Sequence, residues 1–360
     1  MMQVVAVVAN KGGVGKSTLA FQVAGELALG GERVLAVDAD KQADLTLYAR
    51  GPRIAGLGLD AVLGDPRGAC DPRPFIGPVS ANLDLLGSSD RLAVVDRVLA
   101  QVEHGAFHLR SALDAVKHDY RWAVIDTGHS ELMVSSALVA ADLLLMPTTA
   151  SAPDARHAGD MVQRALSVRT ELGLPCAGLV GRSMITVWRR QHNGIADAQV
   201  IDELHRRYGD LVCAVVIPHS SRVSEANAQR MTVRQHAEMY GTGRDAALRA
   251  VTDAFRQVTD CLRDRALTPE SHESFRWVSE LPPDEPDAAE LASALRRLKR
   301  RRGLDDDQLA EVLGRPVEWI RQTLAFGARH PDGEERLTIR PHSRRPACDV
   351  ASPRPQAWLR

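Results

Sequence analysis

The strongest chemical signal in the sequence is one run near its start: Lys11-Gly12-Gly13-Val14-Gly15-Lys16-Ser17-Thr18. Its glycines let successive backbone N–H groups close around phosphate oxygens, and a helix beginning directly behind them adds positive potential. Lys16 is then placed to reach the β- and γ-phosphates of a nucleotide, Ser17 to ligate Mg²⁺ through its hydroxyl, and Thr18 to bond the α-phosphate. Three acids complete the set. Asp38 and Asp40 end one apolar run and Asp126 ends another, and the C-terminal edge of a strand is where open α/β folds bind ligands.

Those side chains need elements to hold them. Val4 to Ala9 is a continuous apolar, β-branched run, the form of a strand buried on both faces of a parallel sheet. From Ser17 onward Leu19, Phe21, Val23, Ala24, Leu27 and Ala28 recur at helical spacing, and Gly30-Gly31 closes the segment before a second strand at Val34 to Val37. Further apolar runs at Leu83 to Leu86, Trp122 to Ile125, Leu143 to Met146, Ala177 to Val180 and Val212 to Ile217 alternate with helix-like stretches. The pattern predicts an α/β fold with a doubly wound, mostly parallel sheet, closed by a helix near Ala246 to Arg263. Boundaries follow from composition: a nucleotide-binding domain over 1–264, a proline-rich linker over 265–287, a small all-α module over 288–328 and a basic tail over 329–360 that reads as disordered.

The octapeptide resembles the deviant Walker A motif of the ParA/MinD family of ATPases, and the likeness runs from Met1 to about Leu262. What the resemblance implies is an enzyme that hydrolyses ATP with Mg²⁺ and is stimulated by a partner. In that family the first lysine, here Lys11, crosses a nucleotide-sandwich homodimer to touch the other subunit's ATP, so that two cations meet the transition-state charge. The resemblance gives Asp40 the task of orienting the attacking water, sets Asp38 near the metal and makes Asp126 the Walker B acid that holds Mg²⁺ through water beside Ser17. Leu145-Met146-Pro147 with Asp154 resembles the segment lining the dimer face. Ile217-Pro218 resembles the stretch against adenine, which adds Pro218 to the nucleotide residues Gly12 through Thr18. Arg222 stands where relatives hold DNA without sequence preference, and a solvated helix face explains it equally well.

Two departures stand out. The family's Asp-Pro-Gln is here Asp40-Lys41-Gln42, and its Thr-Pro-Pro after the Walker B acid is Thr127-Gly128-His129, glycine freeing a backbone that proline stiffens. His129 reads as a solvent-facing loop residue, or else as a proton carrier near phosphate.

The net charge of −1 hides an asymmetry: residues 288–360 hold 15 Lys/Arg against 10 Asp/Glu, or +5, leaving −6 for the rest. Within that segment Leu309-Ala310, Leu313-Gly314, Ile320 and Leu324 have helix-turn-helix spacing and resemble the motif of ParB-type centromere binders. On that reading Arg321 and Gln322 face the major groove, while Arg296, Arg297, Lys299, Arg300, Arg301 and Arg302 bind phosphates. A helical hairpin with a solvated basic stripe is the plainer alternative.

Other classes fit poorly. The five cysteines include no CxxC pair, which speaks against zinc, an iron–sulfur cluster or a disulfide framework, and 4% aromatic content speaks against single-strand stacking. No run of 18 apolar residues occurs, and the last ten residues form no basic amphipathic helix, so no membrane role is expected. The sequence thus predicts a cytoplasmic, nucleoid-associated, ATP-dependent dimerising DNA-binding ATPase. It would partition or position a plasmid, integrative element or chromosome with a ParB-like partner. The alternative is an ATP-tuned transcriptional regulator that binds an operator through the helix-turn-helix.

Overall fold

A computed structural model describes residues 2–49, 57–65, 68–176, 178–189, 195–241 and 245–267, and beyond them 299, 305–308, 317, 321 and 324. The chain falls into two compact units, Met1–Leu281 and Pro282–Arg360. In the first unit the strands are β1 (Gln3–Val7), β2 (Val34–Ala39), β3 (Ile76–Ser80), β4 (Leu83–Leu86), β5 (Trp122–Thr127), β6 (Leu143–Thr149), β7 (Met184–Trp188) and β8 (Val212–Ile217). They form a single sheet in the order β3-β4-β2-β5-β1-β6-β7-β8, parallel throughout except where β3 meets β4.

Side chains alternate across the strands, so the continuous apolar runs feed two cores at once. Val4, Ala6, Leu35, Val37, Ala123, Ile125, Leu144 and Met146 pack on one face, under the helices Leu92–Leu99, His108–Ala115, Glu131–Ala140 and Asp160–Glu171. Val5, Val7, Val34, Ala36, Trp122, Val124, Leu143 and Leu145 pack on the other, under Lys16–Leu29 and the closing helix Ala246–Leu267. This is the doubly wound α/β architecture that the sequence predicts, and the closing helix continues past the boundary drawn at 264.

The helix behind the glycine loop is enclosed, every residue from Leu19 to Ala28 being buried. Between Leu19 and Ala28 the buried polar side chains, Gln22 and Glu26, are satisfied across the helix's flank. Gln22 accepts from the Val233 N–H at 2.8 Å, and Glu26 pairs with Arg234 at 3.0 Å. Gly25 permits the close approach this requires, since a Cβ there would lie 2.4 Å from Cγ2 of Thr232, which caps the helix Val233–Tyr240.

One expected strand is misplaced. Leu179–Arg182 is a short helix, and the strand follows it as β7, with Ala177 outside the described residues. The apolar run there was too short for periodicity to separate strand from buried helix. Strand β3 went unforeseen because Pro78 interrupts it; as an edge strand it tolerates a proline that a central strand would not.

In the second unit Gln308 N–H donates to Asp305 Oδ1 at 2.7 Å while Asp305 N–H donates to Gln308 Oε1 at 3.0 Å. This reciprocal cap opens the helical residues 306–308, and 299, 317, 321 and 324 are also helical. Leu309, Ala310, Leu313, Gly314 and Ile320, the linker's residues 268–287 and the tail lie outside the described residues. No helix among the described residues is long and apolar enough to cross a membrane.

The closing helix should contribute strongly to stability through Phe255, which is 1% exposed and meets Trp188 edge-on at 5.6 Å. Phe255→Ala should cost about 3–5 kcal/mol in urea unfolding. A loss under about 1 kcal/mol would show that the helix is not held by this contact.

Candidate nucleotide site

The loops that follow β1, β2 and β5 emerge side by side, because these strands are neighbours in the middle of the sheet. The register sets Val7 and Asp38 on either side of Asp126, so the glycine loop and both acids share one edge of the sheet. Thr127 binds the loops together by donating its hydroxyl to the Val7 carbonyl at 2.8 Å. Within the glycine loop Gly13 and Gly15 hold left-handed backbone at φ 75° and 87°, which only glycine adopts without strain. The helix then begins at Lys16.

Lys16 is buried and donates to the Lys11 carbonyl at 3.2 Å. Burial lowers its pKa below the ordinary lysine value, against the opposing pull of Asp126 and Asp40. The two acids differ in what they touch. Asp38 is enclosed by donors: its Oδ2 accepts from Thr46 N–H at 2.8 Å and the Thr46 hydroxyl at 2.6 Å, and its Oδ1 accepts from Asp40 N–H at 3.1 Å. Burial nevertheless pushes its pKa up to about 6. Asp126 is fully buried, yet neither of its oxygens has a hydrogen-bond partner of normal length. Its pKa lies well above the usual carboxylate range, first through burial and then through the charge of Asp38, while Ser17 and Lys16 act in the other direction.

An orphaned buried carboxylate beside a serine hydroxyl and a lysine, at the mouth of a glycine loop, fits a hard divalent cation and phosphate. Ser17 and Asp126 would hold Mg²⁺ there; Asp38, with its oxygens already engaged, would stand behind them. When bound, the metal supplies positive charge to the phosphate oxygens.

Lys11 lies at the exposed rim with its ammonium 2.5 Å from Asp154, the side chains being 64% and 7% exposed. Burial works against the charge of Asp154, but hydrogen bonds from Lys11, Thr149 and Ser151 outweigh it and hold the pKa below the usual range. The pair flanks a cavity of 210 Å³ that Met146 and Pro147 also line. The segment expected at a dimer face therefore already touches Lys11.

Two features here carry no signal in the sequence. Asn227 donates to the Thr18 hydroxyl at 3.2 Å, and the Trp188 ring lies on Gly15, 3.3 Å from where a Cβ would stand. Pro218, expected against adenine, lines a groove of 710 Å³ with Arg189, Val216 and His219 among others, and no residue of the glycine loop lines that groove.

Residues 2–169 match the AAA domain family AAA_31. The chromosome partitioning protein ParA of Caulobacter vibrioides is 29% identical over 240 residues, spanning 62% of this chain and 84% of that protein. The structure of a plasmid partition protein of Borrelia burgdorferi bound to AMPPNP superposes with a TM-score of 0.57 at 21% identity, over 74% of this chain and 100% of the other. That of cobyrinic acid a,c-diamide synthase from Mycobacterium smegmatis, with an ATP analogue and magnesium, gives 0.58 at 23%, over 74% and 96%. Across its nucleotide-binding unit the chain is similar to ParA-type partitioning proteins. The two solved structures speak for the fold alone, and one being a partition protein and the other a synthase, this fold hosts more than one chemistry.

Of the residues expected to hold DNA, Arg222 is paired with Glu225 at 2.6 Å and with Asp245 at 2.8 Å. Lys299 pairs with Asp306 at 2.5 Å, and Arg321 lies 3.8 Å from Asp306 and 3.9 Å from Asp307. Arg296, Arg297, Arg300, Arg301, Arg302 and Gln322 lie outside the described residues.

Thr46 also accepts from Ser88 N–H at 2.8 Å, so it links the Asp38 loop to the strand beyond. With a folded pKa of about 6 against an ordinary 3.8, Asp38 binds its proton more tightly when folded, and its ionisation opposes folding as pH rises through that window. Thr46→Val removes a donor to the charged form. It should destabilise by about 1–3 kcal/mol above pH 7 and by less at pH 5, where Asp38 is protonated. Unfolding titrations at both pH values check this, and a loss independent of pH would contradict it.

Proposed function

We propose that this chain binds ATP with Mg²⁺, closes as a homodimer over the nucleotide, and uses hydrolysis to partition or position a DNA cargo with the help of a ParB-like partner. The observation that carries the reading is Lys11. A lysine five residues before Lys16 has no task in a P-loop that works alone, and here its ammonium is at the rim, held by one carboxylate. Lys11 would exchange Asp154 for a phosphate of a second subunit's ATP, and its side chain, 64% exposed, is open to such a partner. Lys16 would then stabilise charge from within and Lys11 from across the interface, while Asp40 orients the attacking water.

Partition as the purpose is supported by the similarity to the Caulobacter partitioning protein. The capped start at Asp305 and the helical positions 317, 321 and 324 support a helical module in the second unit, and the turn that a helix-turn-helix requires lies outside the described residues. For that module to grip DNA, Lys299 and Arg321 must leave their acidic neighbours, and Arg222 must leave Glu225 and Asp245. The same module supports the second reading, an operator-binding regulator; one protected site upstream of its own gene would favour that reading over sequence-blind coating of DNA. The protein would act in the cytoplasm at the nucleoid.

Sedimentation with Mg-ATP tests the dimer. Wild type should shift to twice the monomer mass and Lys11→Ala should remain monomeric while still binding ATP. A variant that dimerises as wild type does would remove Lys11 from the interface and with it the proposed mode of action.

A further inference from the structure

Gly128 is buried, and the Asp40 carboxylate occupies the space where its side chain would begin. A Cβ built on Gly128 would lie 2.5 Å from Cγ and Oδ1 of Asp40 and 2.9 Å from Oδ2. Real Cβ atoms essentially never approach other atoms this closely, so one of the two must move. The backbone itself does not call for glycine here, since Gly128 is absent from the residues with left-handed φ. What the position requires is space.

Asp40 has few other fixings. Its N–H donates to Asp38 Oδ1 at 3.1 Å, and its Oδ1 accepts from Gln42 N–H at 3.1 Å. Its charge reaches Lys16 and favours the protonated lysine, so the carboxylate rests at the nucleotide site and not away from it. On the other side of Gly128, the His129 ring lies over the glycine loop, with Nε2 3.1 Å from a Cβ position on Gly12. The segment 127–129 thus touches the loop after β1 through Thr127 and His129, and the loop after β2 through Gly128.

We propose that Gly128 is a positioning residue for hydrolysis: its missing side chain is the seat that fixes the Asp40 carboxylate beside Lys16. The inference rests on the reading that the chain hydrolyses ATP with Asp40 orienting water. Any side chain at 128 displaces that carboxylate without touching the residues that grip phosphate.

Wild type, Gly128→Ala, Asp40→Ala and the double variant should be compared in Mg-ATP affinity and single-turnover hydrolysis. Gly128→Ala should bind within about twofold of wild type but hydrolyse about 10- to 100-fold more slowly, the size expected of a misplaced group. On the Asp40→Ala background the glycine substitution should cost nothing further, because both act through one carboxylate. A slow Asp40→Ala beside a Gly128→Ala at the wild-type rate would overturn the seat and leave the role of Asp40 standing, as would multiplicative losses in the double variant. An Asp40→Ala as fast as wild type would instead overturn the underlying reading, and the seat with it. Should Gly128→Ala fail to fold, the double variant should recover the melting temperature of Asp40→Ala, since the colliding carboxylate is gone. A double variant that also fails to fold would overturn the proposal.

Discussion

Two carboxylates, Asp38 and Asp126, lie opposite each other on neighbouring strands, both fully buried, and much of this site follows from what that costs. Like charges directly across a sheet repel, and burial removes the water that would screen them. Asp38 is met by three donors from its own loop and Thr46. Asp126 is met by none of normal length. A protein selected for stability alone would not leave it so, and the charge that Asp126 lacks is what a metal–nucleotide complex brings. The surrounding elements keep this arrangement rigid: the central strands are buried on both faces, and the enclosed helix behind the glycine loop cannot shift without exposing Gln22 and Glu26.

The central part of this arrangement was legible in the sequence because it consists of local patterns. Continuous apolar runs marked the buried strands, glycines and lysines marked the loop, and a carboxylate at a strand's end marked each acid. What could not be read lies in contacts between distant segments. Nothing local tells that Thr46 encloses Asp38, that Asn227 bonds Thr18, or that Trp188 covers Gly15. The sequence likewise set Asp38 near the metal without revealing that its oxygens are already engaged. Strand β7 was displaced by a few residues because a four-residue apolar run has no period to read, and the edge strand β3 was hidden by its proline.

The departures from the family pattern are the instructive positions. By sequence, Gly128 frees a backbone that proline would stiffen and His129 reads as a loop residue. In three dimensions the space at Gly128 is filled by the Asp40 carboxylate and the His129 ring lies on Gly12, so the loops are joined by close contacts. The basic residues expected at DNA show another side: Arg222, Lys299 and Arg321 each have acidic neighbours at the surface, and exposed pairs of this kind set only a small cost on recruiting them to phosphate.

The claim that Asp126 is unsatisfied without a metal–nucleotide complex is tested most directly by calorimetric titration of ATP, with Mg²⁺ and with EDTA, into wild type and Asp126→Asn. Wild type should bind ATP about 10- to 100-fold more tightly with Mg²⁺, the scale on which a metal's outer-shell partner acts. Asp126→Asn should lose that difference while binding ATP in EDTA at least as well as wild type, since a buried negative charge near the phosphates has been removed. An Asp126→Asn variant that keeps the full magnesium effect would contradict the account.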